Sequence, residues 1–352
     1  MPPGLPSDPA RPPRTPSVDM LRGLAVMGMI LVNAAAGLSG SHAVPTMLLH
    51  ADWAGFRLPD LMFPAFLTIV GMSVVLAPPP GARDILWRSG RLLLIGLLLT
   101  NMHWLADWAQ APRLPGVLQR IALVYALAAL LTPRLSARAR AGLILALLLG
   151  HWGLLLIPMP DGTPTDLWAP GQDFGSWLDR ALLGPFLYVK GPLGFDPEGI
   201  AGTLPALAQA LIGTLAAERM RRPGAARALA LAGAALVGGA LLWAPWLPVV
   251  KALWTGSFVA LSAGLTLLVA ALLHARFDPG PVRNIATAFG RNAITAYVLH
   301  ELAAPLLHWD SLTFPYRLLP PAAATFAVIT LFLALVAAPI LAMDRRGLYL
   351  RV

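Results

Sequence analysis

The sequence has no cysteine, little charge and almost no lysine. The absence of cysteine excludes disulfide staples, thiolate nucleophiles and cysteine-ligated metals. Charged residues make up only 12% of the 352 positions, about half the ~25% usual in a soluble globular protein. Lysine stands at just two of the 26 basic positions, Lys190 and Lys251. A composition skewed towards Ala, Gly and Pro favours arginine over lysine, so arginine enrichment alone argues for nothing. The seven histidines show no metal-ligand spacing, and no metal site is expected.

What is present is apolar sequence. Residues are 57% hydrophobic and mean hydropathy is +0.68. A helix needs about 20 mostly apolar residues to cross a hydrocarbon core. By that measure ten spans are expected, at about 19–38, 59–78, 85–104, 114–132, 140–158, 202–219, 226–245, 254–274, 285–307 and 319–343. The expected fold class is therefore an all-α polytopic membrane protein in contact with the lipid bilayer. A proline-rich tail, 1–18, is expected to be disordered. Residues 19–352 read as one transmembrane domain with a central cavity, interrupted by a long segment at 159–201.

The loops orient the bundle. Arg11 and Arg14, Arg83 and Arg88, Arg134 to Arg140, Arg219 to Arg227, Arg276 and Arg283, and Arg345 to Arg351 fall in alternate connections. Basic residues accumulate on the cytoplasmic side of short loops, so both termini are expected there. Topology thus accounts for the net charge of +9, and no nucleic-acid partner is implied. The 159–201 segment, with Asp161, Asp166, Asp173, Asp179, Asp196, Glu198 and several aromatic residues, then lies outside. It is long for a mere connector.

Ionisable groups at membrane depth mark functional candidates. The outer level offers Asn33, His50, Asp52, Asp60, His103 and Asp107, with His300 and Glu301. The inner level offers Arg22, Arg91 and Arg291, with Asn292 slightly deeper. His50 precedes Asp60 by ten residues, and histidine is the side chain suited to base or nucleophile work near neutrality. Asp52 or Asp60 is placed to orient its ring. "DPEGI", 196–200, reads as a turn entering a helix, with its acids near the positive end of the helix dipole. Asn292 and His300 lie eight residues apart, on one face of a continuous helix.

Six blocks then acquire a joint meaning: "SVDMLRGLAVMGMILVN" (17–33), "HADWAGFRLPDLMFPAFLTIVGMS" (50–73), "GVLQRIALVYALAAL" (116–130), "DPEGIAGTLPALAQALIGTLA" (196–216), "FGRNAITAYVLHEL" (289–302) and "DRRGLYLRV" (344–352). In order and along nearly the whole chain, they resemble the heparan-α-glucosaminide N-acetyltransferase family. The resemblance implies a transmembrane acetyltransferase that takes acetyl from cytoplasmic acetyl-CoA and delivers it to an amino sugar on the far side. The family's proposed active-site histidine falls on His50, with Trp53, Gly55, Asp60, Phe63 and Pro64 in matching places, and its preceding polar asparagine on Asn33. Asp196 and Glu198 match its "DPEG", and His300 with Glu301 an H-E pair.

On this reading His50, Asn33 and Asp60 are catalytic. Asp52, Trp53, Asp196, Glu198, His300 and Glu301 serve the acceptor, while Arg22, Arg91, Arg291 and Asn292 serve acetyl-CoA. The implied location is a bacterial inner membrane, and family members form homodimers. Relative to animal members the sequence lacks a large domain before the first membrane helix and has a longer 34–49 segment. An envelope glycan or amino sugar is therefore the expected acceptor. O-acylation of a glycan and sugar transport without acyl transfer remain the alternatives.

Overall fold

The computed structural model describes residues 15–102, 111–278, 280 and 282–350. Arg11, Arg14, His103 and Asp107, and most of the expected tail, lie outside the described residues. The rest of that tail does not behave as a tail: Pro16 opens α1, Pro16–Leu38, where proline's fixed φ and missing N–H suit the first turn.

The described chain is helical. After α1 come α2 (Leu58–Leu76), α3 (Ala82–Thr100), α4 (Val117–Leu131) and α5 (Ala137–Leu155). Next are α6 (Phe174–Leu183), α7 (Thr203–Met220), α8 (Ala225–Trp243) and α9 (Gly256–Phe277). The remainder is α10 (Ile285–Arg291), α11 (Ala293–Ala303), α12 (Asp310–Thr313) and α13 (Pro321–Arg345). Six of these, α1, α2, α5, α8, α9 and α13, are long and apolar enough to cross a membrane. The other expected spans contain helix but fall short of that standard for visible reasons. Arg83, Asp84, Arg88 and Arg91 fill the first half of α3, and α4 has only 15 residues. The span expected over 285–307 is two helices, because Asn292 leaves helical geometry at φ −114° and ψ 31°. Asn292 and His300 therefore do not share the face of one continuous helix.

Helices α1, α2, α7 and α9 form the centre, while α5 and α8 have most of their surface outward. In a bilayer, small residues allow helices to pack closely. Gly71 of α2 and Gly213 of α7 do this reciprocally. A Cβ on Gly71 would stand 1.8 Å from the Ala210 carbonyl oxygen, and one on Gly213 1.9 Å from that of Thr68. Gln209 ties the same helices, donating to Thr68 Oγ1 at 2.8 Å.

The 159–201 segment folds on itself around α6, and four of its acids are consumed internally. Asp161, Asp166 and Asp173 accept backbone N–H groups two or three residues on, and Asp179 accepts that of Ile200 at 2.8 Å. Burial lifts the Asp179 carboxyl to about 7.

Candidate active site

Where one central cavity was expected, two large ones are lined by the described residues, at opposite ends of the same helices. The first, about 760 Å³, takes Arg22 from α1, Ser73 from α2, Arg88 and Arg91 from α3, Tyr125 from α4, and Arg291 beside the α10–α11 break. The second, about 470 Å³, takes Asn33, Phe63, Thr100, Val117 and Tyr297 from the other ends of α1, α2, α3, α4 and α11. Phe66 lines the first and Phe63 the second, so the wall between them is about one helical turn thick along α2.

At the second cavity the sequence's central pair is assembled. Asp60 sits in the first turn of α2, buried, and its Oδ2 accepts the N–H groups of Arg57 at 2.9 Å and Ala51 at 3.2 Å. Its Oδ1 faces His50 Nδ1 at 2.7 Å. With the Nδ1 proton held by the carboxylate, the Nε2 lone pair is left for chemistry. Arg57 fixes the histidine's backbone, donating to the His50 carbonyl at 2.7 Å. Of the two candidate orienting acids the structure selects Asp60. Asp52 is 95% exposed and faces Arg57 at 3.5 Å. Trp53 lies away from the cavity lining, with Nε1 donating to the Leu167 carbonyl at 3.1 Å and its ring edge-on to Phe195.

Asn33 lines the cavity from α1, and behind it stands His300. His300 Nδ1–H donates to the Tyr297 carbonyl at 2.6 Å, leaving Nε2 to accept from Asn33 Nδ2 at 3.0 Å. His300 is thus a buried support, and its neighbour Glu301 reaches the cavity.

Asp196 and Glu198 are not helix caps; α7 begins at Thr203 after Gly202. They grip Arg113 instead. Asp196 takes it bidentately at 2.6 and 3.1 Å, and Glu198 at 2.5 Å. Asp196 also accepts the N–H groups of Tyr188 and Glu198, so its oxygens are occupied, whereas Glu198 lines the cavity. Burial alone would raise the Glu198 carboxyl, but Arg113, Arg120 and Lys251 outweigh it and hold it below the usual range. Burial likewise works against the Arg113 charge, and the two carboxylates overcome it, so Arg113 stays cationic. Its guanidinium lies 4.6 Å from the centre of the Tyr188 ring at the same cavity.

Two residues of this site carry no motif in the sequence. Arg113 and Lys251 both appear there only as loop charges. Lys251 comes from the α8–α9 connection, with Nζ 3.0 and 3.1 Å from the two nitrogens of His50 and 3.8 Å from Asp60 Oδ1. Burial pushes its amine below the ordinary lysine value, against the pull of Asp60 and Glu198. The available signal was its identity, one of only two lysines in a chain that otherwise uses arginine.

At the first cavity three predicted arginines meet. Arg22 reaches Asp19 and the Gly290 carbonyl at 3.1 Å and Ser73 Oγ at 2.7 Å. Arg291 faces Asp344 at 3.4 Å and Asp19 at 3.8 Å, with its buried Nε lacking a hydrogen-bond partner. Arg91 has no partner among the described residues. Against Arg22, Arg88, Arg91 and Arg291 the lining holds one acid, Asp84, so the cavity has spare positive charge. Asn292 is buried behind it and is not part of the lining. No group of three or more potential metal ligands occurs among the described residues.

A family model described as heparan-alpha-glucosaminide N-acetyltransferase, catalytic, matches residues 14–235, more than half of the chain. Among curated proteins, the human heparan-alpha-glucosaminide N-acetyltransferase is 29% identical, aligned over 83% of this chain and 53% of its own length. The mouse protein of the same name is 27% identical over 56% of this chain and 38% of its own. The chain thus spans about half the length, or less, of these relatives.

Proposed function

Since the chain belongs to the heparan-α-glucosaminide N-acetyltransferase catalytic family, we propose that it transfers acetyl from acetyl-CoA across a membrane to an amino sugar. The observation that carries this reading is the pair of cavities. A basic one and a histidine–carboxylate one lie at opposite ends of five shared helices, separated by about one to two turns.

The basic cavity suits a nucleotide with several phosphate charges, for which arginine is the fitting partner. The positive-inside pattern of the surrounding arginines supports a cytoplasmic position for that end, and with it a periplasmic position for the 159–201 segment and His50 if the membrane is a bacterial inner one. From Arg22 to Asn33 along α1 is about 16 Å, a distance for the extended pantetheine arm to span. The thioester then stands near Asn33 and His50.

His50 acts at Nε2. It either removes the amine proton as the amine attacks the thioester directly, or itself attacks and carries the acetyl group onward. Asp60 holds the tautomer that both routes need. Asn33, with one N–H committed to His300, has a second for the developing oxyanion. Glu198 and Glu301 at the cavity surface offer carboxylates to a cationic or hydroxylated acceptor.

The test is transfer from [14C]acetyl-CoA to glucosamine by the full chain in proteoliposomes. Acetyl-CoA stabilisation of the wild type, together with labelled N-acetylglucosamine, is the expected result. Wild-type protein that is folded yet neither stabilised by millimolar acetyl-CoA nor active would refute the assignment.

A further inference from the structure

His50 and Lys251 are 201 residues apart in sequence, and the fold builds dedicated machinery to bring them together. Gly55 N–H donates to the Val249 carbonyl at 2.8 Å, and Ala54 pairs with Val250 as an isolated antiparallel bridge. The histidine loop and the lysine loop are thereby zipped to each other. The lysine loop is itself braced: Val250 N–H donates to Thr255 Oγ1 at 3.1 Å and Trp254 N–H to the Lys251 carbonyl at 3.0 Å. Trp254 is fully buried and has a φ of 52°, the one positive φ outside glycine among the described residues. A left-handed tryptophan persists only where its surroundings impose it, and such residues gather at functional sites.

The lysine head is poorly satisfied for so costly a mount. An ammonium has three donors. Among the described residues its partners within hydrogen-bond distance are the two ring nitrogens, and the nearest carboxylate, Asp60, stands back at 3.8 Å. Reach to both nitrogens at nearly one distance cannot lie in the ring plane, where Nζ would collide with Cε1. The ammonium sits over the ring face, which leaves the in-plane Nε2 lone pair open and keeps the ammonium at the cavity that both residues line.

We infer that Lys251 is a catalytic residue of the same reaction, the cation that receives the negative charge of the acetyl oxygen during transfer. The inference rests on the acetyl-transfer reading above. The amine nitrogen bonds to the thioester carbonyl carbon, and the carbonyl π pair moves to oxygen, where Lys251 N–H groups meet it. The amine proton passes to His50 Nε2. Collapse breaks the C–S bond, and the departing sulfur takes that proton from the imidazolium. Lys251 remains an ammonium throughout. If His50 attacks first, the oxyanion forms on the same carbon and meets the same donors. Fixed donors aimed at developing charge are among the largest contributors to acyl-transfer rates.

The experiment compares wild type, Lys251→Met, Lys251→Arg and Lys251→Ala in acetyl transfer to glucosamine, with thermal stabilisation by CoA as the check on folding and donor binding. Lys251→Met should lower kcat about 100- to 1000-fold while CoA stabilisation is kept. Lys251→Arg should recover at least about tenfold of that loss, since it restores the charge. Methylammonium should rescue Lys251→Ala saturably, a readout that a purely structural lysine would not move. A Met variant within about threefold of an active wild type overturns the inference and leaves the acetyltransferase reading standing. So does a loss accompanied by lost CoA stabilisation and no methylammonium rescue. A wild type that binds acetyl-CoA but acetylates no acceptor overturns both.

Discussion

Replacing Asp60 by asparagine changes one atom and sets two demands against each other. The Oδ2 position accepts the N–H groups of Arg57 and Ala51, while Oδ1 accepts the Nδ1 proton of His50. An asparagine has one carbonyl oxygen for these two sides. If the oxygen stays with the backbone groups, the amide NH₂ faces His50. The ring must then present Nδ1 as acceptor and carry its proton on Nε2, where a base is needed. If the oxygen turns to His50, the partly buried N–H groups of Arg57, at the start of α2, and of Ala51, in the histidine loop, face an NH₂, at up to about 1–3 kcal/mol each. The first arrangement is the cheaper, so Asp60→Asn should fold with the wrong tautomer. Loss of a tautomer-holding carboxylate lowers kcat by about 10³–10⁴-fold, or about 4–5.5 kcal/mol. The assay is the initial rate of [14C]acetyl transfer, with the thermal midpoint and its shift by acetyl-CoA measured on the same preparation. A kcat within about tenfold of wild type in a normally stabilised variant would refute the assigned roles of His50 and Asp60.

Arg91→Ala should raise KM for acetyl-CoA about tenfold, ~1.4 kcal/mol, and leave KM for the acceptor unchanged; an equal rise for both substrates would refute a donor site at that cavity. Arg113→Ala strips the partner from buried Asp196 and from Glu198 and should cost about 3–5 kcal/mol, read as a lowered thermal midpoint and faster proteolysis within 159–201. An unchanged midpoint would show that the clamp is dispensable. Asp179 titrates near 7 in the fold against an ordinary 3.8, so between those values the folded state holds a proton that the unfolded chain has lost. The stability of its segment therefore falls as pH rises through that window. Asp179→Asn should flatten this slope in hydrogen exchange at the Ile200 amide; an unaltered slope assigns the titration elsewhere.

What the sequence made legible follows from what each residue does locally. Apolar length announces a helix, so each of the ten expected spans contains one. His50 and Asp60 were legible because a loop and the helix it enters are neighbours in sequence. The clustering of Arg22, Arg91 and Arg291 at one end followed from span counting. Lys251 and Arg113 were not legible as site residues, because their partners lie in distant segments and a single loop cation reads as topology. The helix break at Asn292 was hidden for a related reason. Gly290 packs against α1 so closely that a Cβ there would meet the Asp19 carbonyl at 1.8 Å. That constraint comes from another helix and leaves no mark in the hydropathy of 285–307. Asp52 and Trp53 differ in the opposite sense: proximity to His50 suggested the cavity for Asp52 and the family motif suggested it for Trp53, yet one faces solvent and the other packs under the 159–201 segment.

The ten-residue interval between His50 and Asp60 has a structural cause that joins the fold to the chemistry. A helix start needs acceptors for its orphan N–H groups, and Asp60 Oδ2 meets part of that need by accepting the N–H of the N-cap residue Arg57. Its Oδ1 is then held in place by a helix that would exist without the site, and the histidine has to be brought to it. The intervening chain does so by anchoring Trp53 under the 159–201 segment and turning at Gly55, where φ is 127°, a conformation open to glycine. That same turn aims the Gly55 N–H at Val249 and so draws in the loop that carries Lys251. One carboxylate and one glycine thus set helix start, imidazole orientation and lysine approach together. A Gly55→Ala variant should accordingly lose activity through both partners of His50 while the apolar bundle, whose helices do not depend on this turn, retains its helical circular dichroism.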